Sequence, residues 1–364
     1  MLPLRNSKHR LIIAAVFLSS AVFNAGRAAA ETAESSTPPL PLPHPKTILL
    51  RSPEIHRELK LDEAQLQAIA SMMGPIEHGL WMLRDQPPEV RSDGAPPLLD
   101  QLDQQLAEIL TNEQKTRFQQ ILRQSHGLDS MRLPDVVEEL ELSQQQVTEL
   151  NATLDQHFEE LRGIEETGQQ YAVAVGELRE RTRRALQELL DTDQQAKLAE
   201  LYGPTIDLSA VKQVACLAPE LRGVNAWLQS EPLSLQKLRG KVVVLHFYAH
   251  MCINCQRNLP HYNKWFATFP QEKVQMIGIH RPEFDQERDA AGVLEAARAS
   301  EIAYPIALDN QSQNWNAWAN NMWPSVYLID KNGYVRSWWY GELNWQGATG
   351  EQQMAAHIPT LIDE

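Results

Sequence analysis

Two regimes of apolar spacing divide this chain. Between residues 47 and 204 apolar side chains recur three and four positions apart, as at Val147, Leu150 and Leu154, among many Gln and Glu residues. That period predicts helices that each bury one face. After residue 216 the apolar residues come in short blocks, at 241–248, 274–279, 305–308 and 326–330, with Asn332-Gly333 turning the last block back into 334–338. Such blocks are strand signals, and Asn-Gly is a hairpin turn. Helical spacing returns near 255–268, 286–299 and 312–320. The predicted architecture is an all-α helical N-terminal domain followed by an α/β domain, its central mixed sheet flanked by helices. The segment 85–97 (DQPPEVRSDGAPP) is expected to be a surface connection.

The helical region repeats itself. A Leu-[Asp/Thr/Ser]-x-x-Gln pattern begins at Leu61, Leu110, Leu142 and Leu190, so pairs of the pattern recur about 80 residues apart. RELKLDEAQLQAI at 57–69 also echoes EELELSQQQVTEL at 138–150. Each pattern has a physical reading: the Asp, Thr or Ser oxygen caps a helix, and the Gln three residues on reaches back to the cap's own N–H. The preceding Leu packs on the first turn. The region resembles the LTxxQ family of small periplasmic helical proteins, of the Spy and CpxP type, in two tandem copies. That resemblance implies a curved hairpin whose concave side binds unfolded or partner proteins. A helical spacer or dimerisation module is the alternative.

The N-terminus reads as a secretory signal. Arg5, Lys8 and Arg10 precede an apolar stretch from Leu11 to Phe23, and Ala28-Ala29-Ala30 offers a cleavage site, giving a signal at 1–30. An uncleaved anchor is the alternative, and only then is membrane contact expected. Residues 31–46 (ETAESSTPPLPLPHPK) read as a Pro-rich linker, 47–204 as the helical domain and 205–364 as the second domain. The boundary falls at Gly203-Pro204, where composition shifts: eight of the nine Trp residues follow it, and Trp81 is the exception.

Charge narrows the partners. The chain carries 33 basic and 47 acidic residues, and loss of Arg5, Lys8, Arg10 and Arg27 with the signal leaves a net charge of −18. Binding nucleic acid by charge neutralisation is excluded, and anionic lipid surfaces are repelled.

Three cysteines are too few for a disulfide-stapled scaffold, and two of them are close: Cys252-Ile253-Asn254-Cys255, where the first predicted strand gives way to a helix. A sulfur at a helix N-terminus is stabilised as the thiolate by free N–H groups and the helix dipole. A second Cys one turn inward is placed to attack the mixed disulfide formed by the first. Half a zinc site has the same spacing, but no second C-x-x-C completes it, so no metal and no cofactor beyond the Cys252–Cys255 disulfide are expected. Cys216 reads as a small buried hydrophobe, or as a link to another chain.

Further residues carry a resemblance over about 130 positions. Ala218-Pro219-Glu220-Leu221, Leu238-Arg239-Gly240-Lys241, the C-x-x-C followed by Gln256-Arg257 and Leu259-Pro260, Gly278-Ile279-His280, Pro282-Glu283-Phe284, Tyr304-Pro305, Leu308-Asp309-Asn310 and Trp323-Pro324 resemble extracytoplasmic thioredoxin-like proteins of the cytochrome-c-maturation group, and above all the C-terminal redox domain of DipZ-type proteins. The resemblance implies a thioredoxin-like fold for 205–364 and a cis Pro324 facing the active site, where flanking backbone groups pair with a substrate. Two positions depart from the pattern. His246 stands where thioredoxins carry a buried Asp, as a proton acceptor for Cys255 or as packing alone. Met251 stands where Trp usually precedes the first Cys. His250, Ile253, Asn254 and Trp323 surround the dithiol as candidate substrate-binding residues. His280 and Glu283 are expected in a loop after the second strand, with Glu283 solvated.

These features together predict a periplasmic thiol–disulfide oxidoreductase acting on protein disulfides, with a separate membrane thiol carrier as electron donor and no nucleic-acid partner. Two rivals stand beside it: a client-binding or stress-adaptor protein whose second domain is a scaffold, and copper delivery through Cys252, Cys255 and a His such as His280.

Overall fold

The structure is a computed structural model, in which residues 43–165 and 168–364 are described. The expected signal and residues 31–42 of the expected linker lie outside them. No helix among the described residues is long and apolar enough to cross a membrane. The described chain forms two compact units, one of residues 49–66 and 106–212, the other of 43–48, 67–105 and 213–364. The single cut expected at 204 is therefore not the whole division: residues 67–105 belong with the C-terminal residues.

Nine helices are described before residue 204: α1 Pro45–Arg51, α2 Pro53–Glu58, α3 Glu63–Leu83, α4 Pro88–Ile109, α5 Asn112–Ser125, α6 Pro134–Glu139, α7 Gln144–Arg162, α8 Gly168–Glu188 and α9 Thr192–Tyr202. The last two residues of the expected linker are thus already helical. All four Leu-x-x-x-Gln patterns build reciprocal caps. Thr111, Ser143 and Asp191 each accept the N–H of the Gln three residues on, while that Gln side chain accepts theirs. Asp62 and Gln65 do the same at 2.8 and 3.1 Å.

The cap glutamines have a second role. Gln65 and Gln114 exchange amide hydrogen bonds at 2.8 and 3.1 Å, and Gln146 and Gln194 repeat the exchange at 2.7 and 3.3 Å. Each also donates to a carbonyl of its partner's lead-in: Gln65 to Ile109, Gln114 to Leu59, Gln146 to Leu189 and Gln194 to Leu140. Two helix starts are thereby locked side by side, twice. In the second copy Leu128, Met131, Leu150, Leu154, Leu186 and Tyr202 form the core beneath the pair.

The segment 85–97 is not a loop: from Pro88 it is the first half of α4. Pro88 takes a first-turn position, where its missing N–H costs nothing. Pro96 and Pro97 each remove a helical hydrogen bond, and close packing of α3 on α4 offsets the loss. A Cβ on Gly79 would come within 2.8 Å of a Leu98 methyl, and one on Gly94 within 2.9 Å of a Leu83 methyl, so a larger residue at either would push these Leu side chains aside.

The second unit is built on a six-stranded sheet. Its strands are β1 Trp227–Leu228, β2 Val242–Tyr248, β3 Val274–His280, β4 Ile306–Leu308, β5 Ser325–Ile329 and β6 Val335–Tyr340, in the order β1-β4-β3-β2-β5-β6. β2 pairs parallel with β3 and antiparallel with β5. All seven residues of β2 are buried: Val242, Val244 and Tyr248 face one core with α10 Ile253–Thr268, α11 Ala290–Ala299 and α13 Gly350–Asp363, while Val243, Leu245 and Phe247 face the other. The sheet is mixed and covered on both faces, which is the thioredoxin-like arrangement. Sequence spacing missed the two-residue β1 and the C-terminal α13. It placed α12 Gln313–Ala317 correctly but too long.

The hairpin of α3 and α4 supplies part of the second core. Trp81 packs with Phe247, Trp318 and Tyr327. The Arg84 guanidinium lies 3.8 Å over the Trp81 ring and donates to the Tyr340 and Tyr327 hydroxyls at 2.6 and 3.2 Å and to the Ala319 carbonyl at 3.0 Å. Asp85 neutralises it at 3.0 Å.

Candidate functional site

β2 delivers the chain to residue 249, and Cys252 becomes the N-cap of α10 in extended conformation. The Cys255 N–H donates to Cys252 Sγ at 3.3 Å, so the sulfur takes the capping place an oxygen usually fills. Cys252 is half-buried and Cys255 fully buried. Their environments push the two thiols apart. A hydrogen bond from the Cys255 thiol, helped by the Cys255 and Asn254 amides, holds the Cys252 thiol down to about 7 against the opposing effects of burial and Glu283. Burial pushes Cys255 far up, and the Cys252 hydrogen bond adds to it. Beside them Met251 and Ile253 are more than half exposed, and Asn254 is exposed.

His246 is fully buried under the dithiol face of the sheet. Its ring stacks 4.3 Å from Tyr262, and its Nε2 meets the Tyr304 hydroxyl at 3.0 Å. Its Nδ1 has no hydrogen-bond partner. Burial pushes the ring down to about 3, and it is neutral at physiological pH. Tyr262 and Tyr248 lie against the ring, and burial pushes both phenols up.

The Trp323–Pro324 peptide bond is cis. Pro324 is buried, and its carbonyl accepts the Gly341 N–H at 2.8 Å. The Trp323 ring rests 4.4 Å from Trp315, with the Arg281 guanidinium 4.6 Å over it. Met322 and Phe284 are large exposed apolar side chains near the same end of the sheet.

His280 is the last residue of β3 rather than a loop residue, and it is fully buried. It stacks on His250, its Nε2 lying 3.1 Å from His250 Nδ1. Glu287 completes a trio with them. This buried carboxylate accepts the Met251, Glu283 and Phe284 amides at 2.8, 2.7 and 2.9 Å, tying the segment before Cys252 to the turn after β3. Glu283 is exposed, as expected. Sequence reasoning missed Glu287, whose only signal was a position seven residues after His280. Cys216 is buried in the second core, beside Phe247 and Val335.

Known proteins resemble the part of the chain that carries this site. Residues 214–338 match the AhpC/TSA family model. Over 128 residues the chain is 42% identical to protein DipZ of Mycobacterium tuberculosis, covering 34% of this chain and 18% of DipZ. The chain thus spans under a fifth of the length of that relative. It is 29% identical over 118 residues to the thiol-disulfide oxidoreductase YkuV of Bacillus subtilis, covering 32% of this chain and 79% of that protein. It is 29% identical over 125 residues to the thiol-disulfide oxidoreductase ResA of Geobacillus thermodenitrificans, covering 34% of this chain and 67% of that one.

Proposed function

We propose that this chain is an exported thiol–disulfide oxidoreductase that reduces disulfides in other proteins. One observation carries the reading: two sulfurs one helical turn apart at the head of α10, the outer lowered toward ionisation and the inner held protonated. The similarity to proteins named as thiol-disulfide oxidoreductases supports it.

In this reading the Cys252 thiolate attacks one sulfur of a substrate disulfide, and the other leaves as a thiolate that takes a proton from solvent. Cys255 then loses its proton and attacks Cys252 Sγ. The second substrate sulfur leaves reduced, and two electrons have passed to the substrate. The product is a Cys252–Cys255 disulfide, which a separate dithiol carrier in the membrane re-reduces. Trp323, Pro324, His250, Ile253 and Asn254 border the substrate's approach. His246 lies beneath the dithiol with its ring unprotonated at neutral pH, the state that a proton acceptor for Cys255 requires.

The segment 1–30 directs export to the periplasm, and cleavage leaves Glu31 as the first residue. The paired caps support an LTxxQ-type helical unit that presents client proteins. Insulin reduction by the full chain tests the chemistry. Cys252→Ser is expected to lower turnover to the uncatalysed rate. Turnover that survives this substitution removes the mechanism, and a full chain without turnover leaves a client-binding protein.

A further inference from the structure

The trio of His250, His280 and Glu287 takes no part in the electron transfer above. Three separate segments bring it together: the link from β2 to α10, the end of β3, and the 3-10 turn Asp285–Arg288. His250 Nδ1 and His280 Nε2 are 3.1 Å apart, His250 Nδ1 and Glu287 Oε1 3.5 Å, and His280 Nε2 and Glu287 Oε1 4.0 Å. A tetrahedral zinc ion with bonds of about 2.0–2.1 Å sets neighbouring ligand atoms about 3.3–3.5 Å apart. The observed triangle brackets one face of that tetrahedron.

The donor atoms are in the right state. The His250 backbone N–H points at His280 Nε2 at 3.2 Å, so the His280 nitrogen facing the trio is the unprotonated one.

Glu287 is 0% exposed, and among the described residues no Lys or Arg nitrogen lies within 4.0 Å of it. An ionised carboxylate so placed needs a cation or a donor network. Its three amide bonds are the fixing contacts that metal-ligating carboxylates characteristically have. His250 is 20% exposed along its side chain and gives one route of entry.

The geometry points to a binding site for a divalent first-row transition-metal ion on His250 Nδ1, His280 Nε2 and Glu287 Oε1, with a fourth position for water or an added ligand. Two imidazoles and a carboxylate suit zinc or cobalt rather than magnesium or calcium. The site uses neither cysteine and is independent of the dithiol chemistry, although Met251 links Glu287 to the segment carrying Cys252.

The test uses untagged full-length protein in which Cys252→Ser and Cys255→Ser remove the dithiol. Titration with cobalt(II) is expected to give one equivalent bound, with the visible absorption of a tetrahedral nitrogen–oxygen site and no thiolate charge-transfer band. Zinc should displace it. Glu287→Gln and His250→Ala are each expected to weaken binding about 10–100-fold. His250→Ala keeps the backbone N–H and touches the most exposed member, so a folded variant is available if Glu287→Gln does not fold. Absence of cobalt binding to the double-serine protein overturns the site, as does binding that His250→Ala leaves unchanged.

Discussion

Trp81 donates its indole N–H to the Trp318 carbonyl at 3.2 Å, across 237 positions of the chain. Its ring also meets the Trp338 ring edge-on at 5.2 Å. The redox unit is therefore not complete within residues 205–364. Trp81→Ala is expected to cost that unit about 3–5 kcal/mol, the usual penalty for emptying a buried Trp site. Arg84→Ala should cost a comparable amount by leaving the Ala319 carbonyl and the Tyr327 and Tyr340 hydroxyls without their donor. Urea unfolding followed by near-ultraviolet circular dichroism measures both. A fragment of 205–364 as stable as the full chain would show that the contact contributes nothing.

Why this contact was hidden in the sequence is instructive. The β-blocks, the C-x-x-C at a helix start and the four caps each depend on residues within a few positions of one another, so spacing alone exposed them. Trp81 and Arg84 act on partners far along the chain, and nothing local marks a helix face that will meet a sheet. Segment 85–97 misled for a related reason. Four prolines argue for a loop, and only the Gly79–Leu98 and Gly94–Leu83 contacts make the helix worth forming. His246, His250 and His280 were legible as residue types but not as an arrangement, and Glu287 was not legible at all, because three separate segments bring the trio together.

Alkylation of the reduced chain should distinguish the three cysteines. With its thiol held near 7, Cys252 is expected to react about tenfold faster per pH unit up to that value and then level off. Cys255 and Cys216 are buried and should stay unmodified in the native protein. The lowered thiol also links to stability. The stabilisation is complete above the ordinary thiol value of 9.0 and is lost as pH falls through about 7. Mass spectrometry of iodoacetamide-treated protein from pH 5 to 9 reads the profile. Equal labelling of Cys252 and Cys255 would contradict the division of roles.

The paired glutamines make a prediction about coupling. Gln146 and Gln194 bond each other and each caps a helix. Either Gln→Ala change therefore removes a cap contact and strands the partner amide, for about 1–2 kcal/mol. The double variant should cost clearly less than the sum of the singles, since the second change removes a group already left unpaired. A denaturant-unfolding double-mutant cycle measures this. Strict additivity would mean that the side-by-side bond contributes nothing.

His246 should make the folded protein acid-sensitive well above the carboxylate range. Unfolded, its ring takes a proton near the ordinary imidazole value of 6.5; folded, burial delays that to about 3. Tyr248 from β2, Tyr262 from α10 and Tyr304 before β4 surround the ring, and none offers a negative charge at neutral pH. Between these two values the unfolded chain binds the extra proton, so stability is complete above about 6.5 and falls as pH drops. One proton gives a slope of about 1.4 kcal/mol per pH unit, hence a loss of about 2–3 kcal/mol by pH 4.5. His280, held down to about 4, adds a limb of the same sign. His246→Phe removes the first limb without introducing a charge, and its stability should fall less steeply over that interval. If urea midpoints of wild type and His246→Phe decline in parallel from pH 7 to pH 4.5, the buried ring is not the group that titrates, and the acid sensitivity must come from elsewhere.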